Sequence, residues 1–462
     1  MQKNVVKFFD NLIGKKVAFL GIGKSNLPLI KLFSKKGAIV TACDAKNKMQ
    51  LEDIIKQLKN YNVQFRLGSD YLKDLNFDII FRSPGFNFFT PELIDAQNNG
   101  AIVTSEMELF FDLCPCKIIG ITGSDGKTTT TTIISEILKQ DNKIVHLGGN
   151  IGTPLLPIIE NISENDIAVV ELSSFQLISM RKSPDIAVVT NLSPNHLDVH
   201  KDMTEYIDAK KNIVFHQNAF SRTVLNMDNE ITKQFSSIAR GQTLFFSTQN
   251  TCENGVYLKD NVIYFSKNGV SQPVMNVNDI RIAGKHNVEN FIAAICAVFD
   301  EVSIESIKTV AKSFVGVEHR TEFVREVNGV KYYNDSIASS PTRTICGTLS
   351  LFLQKIILIC GGYDKKIPFD TLGSVICDKV KVLILMGQTA DKIHDAVVNS
   401  SKFSAEKIQI LQADNMQEAV FMAQKNAEPN DIVSLSPACA SYDLYENFAK
   451  RGNHFKELVN KI

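Results

Sequence analysis

The chain has no excess of charge of either sign, since 50 Lys plus Arg stand against 50 Asp plus Glu. That excludes the broad basic field that nucleic acid or an anionic membrane would call for, so any polyanionic ligand must be bound locally. No apolar run approaches the roughly 18 residues of a membrane helix. The opening stretch, Met1 to Lys24, breaks its short apolar runs with Lys and Asp and lacks the apolar core and small-residue cleavage site of a signal peptide. A cytoplasmic location is therefore expected. The nine cysteines are scattered, several in strand-like runs such as Leu358-Ile359-Cys360, where a thiol behaves as a small hydrophobe; disulfides are not expected. Cys114-Pro115-Cys116 is a close pair, but it lacks a second Cys/His pair at zinc spacing. Repeats, low-complexity tracts and long flexible linkers are also missing.

What is present is a series of apolar runs, each entering a glycine or polar turn. At 462 residues the chain is too long for one ordinary core, so about two to four domains are expected. A strand at 17–21, a helical stretch at 27–36 and a strand at 38–43 make a βαβ opening, and strands at 78–81 and 101–104 follow. A second α/β unit begins with a strand at 117–122 and a Thr-rich helix at 128–139, with further strands at 167–171 and 186–190. Residues 220–283 change to short strands with turn signals, including a hairpin at Lys259-Asp260-Asn261. They read as an antiparallel side sheet, after which a helix is expected at 288–299. A third α/β unit has strands at 355–360, 380–386 and 431–435. The expected fold is α/β with three domains, 1–105, 106–316 and 317–462. The first and last are Rossmann-like, and the central one is phosphate-loop ATPase-like and carries the antiparallel side sheet.

The sharpest local signal is Gly120-Ile121-Thr122-Gly123-Ser124-Asp125-Gly126-Lys127-Thr128-Thr129, placed between a strand and a helix. Glycines let backbone N–H groups turn around phosphate oxygens, Lys127 suits the β/γ-phosphates and the Thr128 hydroxyl suits Mg²⁺. The strict Walker pattern would need glycine where Ile121 stands. Gly21-Ile22-Gly23-Lys24-Ser25-Asn26, with Asp44 ending the next strand, is a partial dinucleotide fingerprint whose third glycine is replaced by Asn26. NAD or another diphosphate such as a UDP-sugar fits it equally. Glu171 ends a strand run on the edge that faces the phosphate loop, which makes it a natural Mg²⁺ ligand. His196 and His200 lie one helical turn apart, but Leu197 stands where a zinc protease needs Glu. One imidazole near a Mg²⁺-phosphate site and a surface position for His200 are expected instead. On the residues alone, Lys210-Lys211 reads as a solvated helical pair.

Several motifs resemble the Mur ligases, in order and across nearly the whole chain. They are the phosphate loop, Gly148-Gly149-Asn150-Ile151-Gly152, Glu171-Leu172-Ser173-Ser174-Phe175-Gln176-Leu177, His286-Asn287-Val288-Glu289-Asn290, His319-Arg320, Asn334-Asp335-Ser336 and Leu435-Ser436-Pro437-Ala438-Cys439-Ala440-Ser441. The Ser-Ser-Phe-Gln and Ser-Pro-Ala-Cys-Ala-Ser segments favour the branch that adds D-glutamate. The resemblance implies an ATP-dependent ligase that phosphorylates the carboxylate of UDP-N-acetylmuramoyl-L-alanine and joins D-glutamate to the acyl phosphate; a monomer is the default expectation. It implies Gly123 to Thr129 around the triphosphate, with Thr128 and Glu171 at a first Mg²⁺ and His196 at a second. It implies Asn287, Asn290, Arg320 and Asp335 at adenine, ribose or phosphate, and Ser339, Lys365, Ser441 and Phe448 at D-glutamate. Lys24, Ser25, Asp44, Ser83, Pro84 and Gly85 would meet the uracil-diphosphate end and Asn150 the muramoyl portion. Lys210 matches a lysine that such ligases carbamylate, giving an anionic Mg²⁺ ligand, and the adjacent Lys211 could lower its pKa. Ile337 and Ser339 depart from the family's usual Lys and Thr, as Asp125 does from Asn and Lys24-Ser25-Asn26 from Leu-Thr-Gly. A phosphate-loop switch, a dehydrogenase, a sister ligase adding another amino acid and a folate-type glutamate ligase are the alternatives.

Overall fold

The computed structural model describes residues 3–193, 200–282 and 284–462, and the chain forms two compact units. One comprises Met1–Asp279 with Val288–Lys312, the other Ile280–Asn287 with Ser313–Ile462.

The first unit holds two sheets. In the first, β1 (Lys16–Leu20), β2 (Ile39–Asp44), β3 (Val63–Leu67), β4 (Ile79–Arg82) and β5 (Ile102–Thr104) are parallel in the order β3-β2-β1-β4-β5. A strand buried on both faces needs apolar residues without alternation, and Val17, Ala18, Phe19 and Leu20 are all fully buried. Phe19 stacks on Phe81 at 4.9 Å, and Phe33 meets both rings edge-on. The order reverses at β1 and β4, so the crevice beyond their C-terminal ends is the switch point where open α/β sheets bind ligands.

The second sheet comprises β6 (Lys117–Thr122), β7 (Val145–Gly149), β8 (Ile167–Glu171), β9 (Ile186–Val189), β10 (Arg222–Asn226), β11 (Gln242–Ser247), β12 (Gly255–Lys259), β13 (Val262–Lys267) and β14 (Val270–Asn276). Its order is β14-β13-β12-β11-β10-β9-β6-β8-β7. β10 and β11 continue the parallel sheet, and β12, β13 and β14 pair antiparallel, so the expected side sheet is the antiparallel edge of this sheet. Asp260 and Asn261 take φ of 50° and 61°, the left-handed pair that a two-residue hairpin turn requires. The two sheets are joined by polar contacts as well as by a shared core: the buried Glu106 accepts the Leu155 and Leu156 N–H groups at 2.9 Å, and Lys36 pairs with Glu160 at 2.8 Å.

The second unit has a six-stranded sheet of β15 (Glu322–Val327), β16 (Val330–Asn334), β17 (Ile356–Cys360), β18 (Val380–Leu385), β19 (Gln409–Gln412) and β20 (Ile432–Leu435), in the order β15-β16-β20-β17-β18-β19. β15 is antiparallel to β16 and the remaining pairs are parallel. Alternate residues of β17 feed two cores, Leu358 on one face and Ile357 and Ile359 on the other. Among the described residues no helix is long and apolar enough to cross a membrane.

Candidate functional site

The glycine loop lies between β6 and the helix Lys127–Gln140, as its sequence requires. Gly123 and Gly126 have φ of 152° and 77°, and a Cβ would stand 1.9 Å from Thr190 Oγ1 at the first and 2.3 Å from Asn290 Oδ1 at the second. Only glycine fits either place. Asn290 is thereby brought to the loop, and it also accepts from Thr130 Oγ1 at 3.3 Å. The loop is braced by Asn191, whose backbone oxygen accepts the Ser124 N–H at 2.8 Å and whose side chain accepts the Asp125 N–H at 2.9 Å. Lys127 folds back over the loop, donating to Gly123 O at 2.9 Å and Ser124 O at 2.8 Å. Glu171, at the end of β8 and buried, accepts from Thr128 Oγ1 at 2.7 Å and from Asn150 Nδ2 at 2.7 Å. Hydroxyl and carboxylate oxygens gathered beside a phosphate loop are the donor set a hard divalent cation takes.

Lys210 was legible as helical but not as buried. It lies on the inner face of the helix Met203–Phe215 with 2% exposure, and its Nζ donates to Thr122 Oγ1 at 2.9 Å and Gly123 O at 3.0 Å. The solvated-pair reading therefore fails for Lys210. Burial, reinforced by the nearby Lys127 charge and opposed by Glu171, holds its pKa well below the ordinary lysine value. Lys211, the neighbour expected to lower that pKa, instead points to solvent and pairs with Asp208 at 2.8 Å. The acting cation comes from the phosphate loop, because adjacent residues on a helix face different directions.

His200 is also corrected, from a surface residue to a buried one. Its ring stacks on Phe175 at 5.1 Å, Nε2 meets Ser174 Oγ at 2.8 Å and Nδ1 meets Glu205 at 2.9 Å. His196 lies outside the described residues. Cys114 and Cys116 bring their sulfurs to 3.5 Å, and among the described residues no group of three metal-type ligands forms.

The first sheet gathers its candidates at the β1/β4 crevice. Asp44 accepts the Ile22 N–H at 2.8 Å and the Lys46 N–H at 2.9 Å, which places its carboxylate under the Gly21–Gly23 turn. Ser83 N–H bonds Leu20 O at 3.0 Å, and a Cβ on Gly21 would stand 2.8 Å from Ser83 Oγ. Asn26, where the fingerprint has glycine, closes the turn by donating to Leu20 O at 3.1 Å and Gly21 O at 2.9 Å. Lys24 is exposed, Ser25 precedes the helix Asn26–Lys35, and Pro84 and Gly85 lie on the rim.

In the second unit Asp335 is buried, accepting from Thr321 N–H at 3.1 Å, Thr348 Oγ1 at 2.8 Å and Ser436 Oγ at 2.8 Å. Arg320 acts on it electrostatically. Lys365 Nζ lies 3.5 Å from Ser339 O, which brings those two candidates together, while Ser441 is buried and Phe448 opens the helix Phe448–Val459. Asn287 belongs to this unit. Sequence reasoning passed over Arg451. It is 2% exposed and donates to Ser336 Oγ, Ser336 O, Cys439 O and Ala440 O at 2.9–3.0 Å, tying the Asn334-Asp335-Ser336 turn to the Ala440-Ser441 segment. A lone Arg on a helix reads as a solvated charge, and no local signal separates the two cases.

Burial raises the Asp335 pKa from 3.8 to about 6. A raised carboxyl binds its proton more tightly in the folded state, so the cost of ionising it is absent at low pH, grows between the two values and is complete above pH 6. Asp335→Asn, which cannot ionise, is therefore expected to gain on the natural protein as pH rises from about 4 to about 7, by at most about 3 kcal/mol. Urea unfolding of the two proteins across that range measures it. A difference that stays flat with pH would remove the assignment.

Three family descriptions match in succession: the Mur ligase MurD-like N-terminal domain over residues 15–105, the Mur ligase middle domain over 121–298 and the Mur ligase glutamate ligase domain over 319–439. The chain is 51% identical to the UDP-N-acetylmuramoylalanine–D-glutamate ligase of Acetivibrio thermocellus, with both chains covered completely. It is also 51% identical to the enzyme of that name from Clostridium acetobutylicum, over 99% of this chain and 98% of that one. Among solved structures, the UDP-N-acetylmuramate-alanine ligase of Thermotoga maritima shares the fold with a TM-score of 0.57 at 16% identity, covering 97% of this chain and 99% of that one. A pseudomurein peptide ligase from Methanothermus fervidus does so with a TM-score of 0.55 at 18% identity, covering 97% and 100%. With a match this complete to relatives this similar, and the glycine loop, Glu171 and Lys210 drawn together as described, the chain belongs to the Mur ligase family.

Proposed function

We propose that this protein uses ATP to join D-glutamate to UDP-N-acetylmuramoyl-L-alanine in the synthesis of peptidoglycan precursor. The observation that carries the reading is the junction at Glu171, which binds Thr128 and Asn150 beside Lys127 and the buried Lys210. A carboxylate resists attack by an amine, so the γ-phosphoryl group is first transferred to it, breaking the bond to ADP. The amine of D-glutamate then attacks the acyl carbon and phosphate leaves. Lys127 balances charge on the transferring phosphoryl, and the loop glycines let the backbone approach it. Thr128 and Glu171 would hold one Mg²⁺ and His196 a second, and the ions would offset the repulsion between carboxylate and triphosphate. Lys210, as a neutral amine, adds CO₂ and loses a proton to give a carbamate, whose negative charge is attracted to Lys127 where the ammonium would be repelled.

Asn287, Asn290, Arg320 and Asp335 serve the nucleoside and phosphates of ATP. Ser339, Lys365, Ser441 and Phe448 serve D-glutamate, the cation of Lys365 suiting a dicarboxylate. Lys24, Ser25, Asp44 and Ser83 to Gly85 take the uracil-diphosphate end and Asn150 the muramoyl portion. The functional domains are drawn at 1–105, 106–316 and 317–462, in a cytoplasmic monomer. Phosphate release is expected only when ATP, Mg²⁺, UDP-N-acetylmuramoyl-L-alanine and D-glutamate are all present. Equal rates with L-glutamate or D-alanine would sink the D-glutamate assignment.

A further inference from the structure

We infer that Arg82 is a positioning residue that locks the loop 83–85 against the segment following Glu171, so that the two ends of the nucleotide-sugar substrate are held at one fixed separation. The inference rests on the functional reading above and deepens it. Arg82 ends β4, directly before Ser83, yet its side chain is 1% exposed. Its Nη1 donates to Phe86 O at 3.4 Å on its own loop, while Nη2 donates to Phe175 O at 3.2 Å and to Ser179 Oγ. The Phe88 ring lies 5.4 Å from the guanidinium carbon. One planar group thus bonds the loop of the first sheet to the helix Ser174–Leu177, which begins three residues after Glu171. That helix is itself fixed, by the Ser173–Gln176 capping box and by His200 on Ser174 and Phe175.

Stability alone does not call for a cation there. Among the described residues no carboxylate comes within ion-pair distance of Arg82, its Nε has no partner, and Glu108 acts on it only through space. A buried charge without a contacting anion is costly. What an arginine adds is a rigid fork that fixes direction and distance between the groups it bonds. Ser83 keeps its own bond to Leu20 without it, so the loss expected on substitution is of register between the two parts of the site, not of either part.

The test is calorimetric titration of UDP and of UDP-N-acetylmuramoyl-L-alanine into the natural protein, Arg82→Lys and Ser179→Ala. UDP is expected to bind all three within about twofold, while the whole substrate weakens about tenfold in Arg82→Lys and less in Ser179→Ala, because linked halves lose effective concentration when their sites slip apart. Equal losses for UDP and the whole substrate would make Arg82 a mere support of its own loop and overturn the inference, as would unchanged affinities. Ser179→Ala removes one hydroxyl and leaves Arg82 in place, so it decides the matter if Arg82→Lys does not fold. A natural protein that binds neither ligand would instead overturn the functional reading, and this inference with it.

Discussion

Lys127→Ala is expected to lower turnover by roughly 10²–10³-fold, the loss typical of removing one electrostatic contact to a transition state, while the protein stays folded. Lys127 opens the helix Lys127–Gln140, where alanine is a favourable residue, so the helix itself is not endangered. What is lost in the absence of substrate is a pair of part-buried bonds to the Gly123 and Ser124 carbonyls, which contribute about 1.5 kcal/mol each, the low end for a charged donor. Those carbonyls hold the cation over the loop, where the triphosphate of the proposed reaction would replace them. The expected cost in catalysis is larger, because in the proposed reaction negative charge builds on the phosphoryl oxygens beside this cation. Steady-state rates and a thermal midpoint on the same preparation check both halves of the expectation. Near-normal turnover in a folded variant would mean that ATP binds elsewhere.

The glycine loop was readable because its geometry is local: a strand, two glycines forced into special backbone positions and a helix occupy consecutive residues. The same holds for the hairpin at Lys259-Asp260-Asn261 and for Glu171, whose place at a strand end follows from the length of its apolar run. The helix expected from residue 288 begins at Lys285, a boundary error of the usual kind. The reading of the residues failed where burial is decided by distant segments. Nothing near Lys210 in sequence announces that Thr122 and Gly123 lie over its amine, or that Lys127 rather than Lys211 sets its charge. His200 was misplaced for the same reason, its stacking partner Phe175 being 25 positions away along the chain. Arg82 and Arg451 are the strongest cases, since each is a buried cation whose partners are mostly carbonyl and hydroxyl oxygens of other segments, and an arginine in a sequence carries no mark of that.

Lys210 offers the sharpest test, because a buried structural lysine and a carbamylated metal ligand respond oppositely to added carboxylate. A buried lysine with a lowered pKa keeps a larger share of neutral amine near neutrality, and the neutral amine is the form that adds CO₂. If the carbamate supplies an anionic oxygen to Mg²⁺, Lys210→Ala should lose at least about 10²-fold in turnover, as other sites do when such a charge is removed. Acetate or formate should restore part of it by returning a carboxylate to the vacated space. Lys211→Ala is the matched control, one residue away, and is expected to lose only an exposed pair with Asp208 that contributes a few tenths of a kcal/mol. Stability is a poor readout here, since the cavity left by the lysine stem and the relief of a buried charge act in opposite directions. Rescue kinetics are better than mass spectrometry as well, because carbamates are lost in acid. A Lys210→Ala protein that turns over at most of the natural rate with saturating Mg²⁺ would leave Lys210 as a purely structural lysine bonded to Thr122 and Gly123.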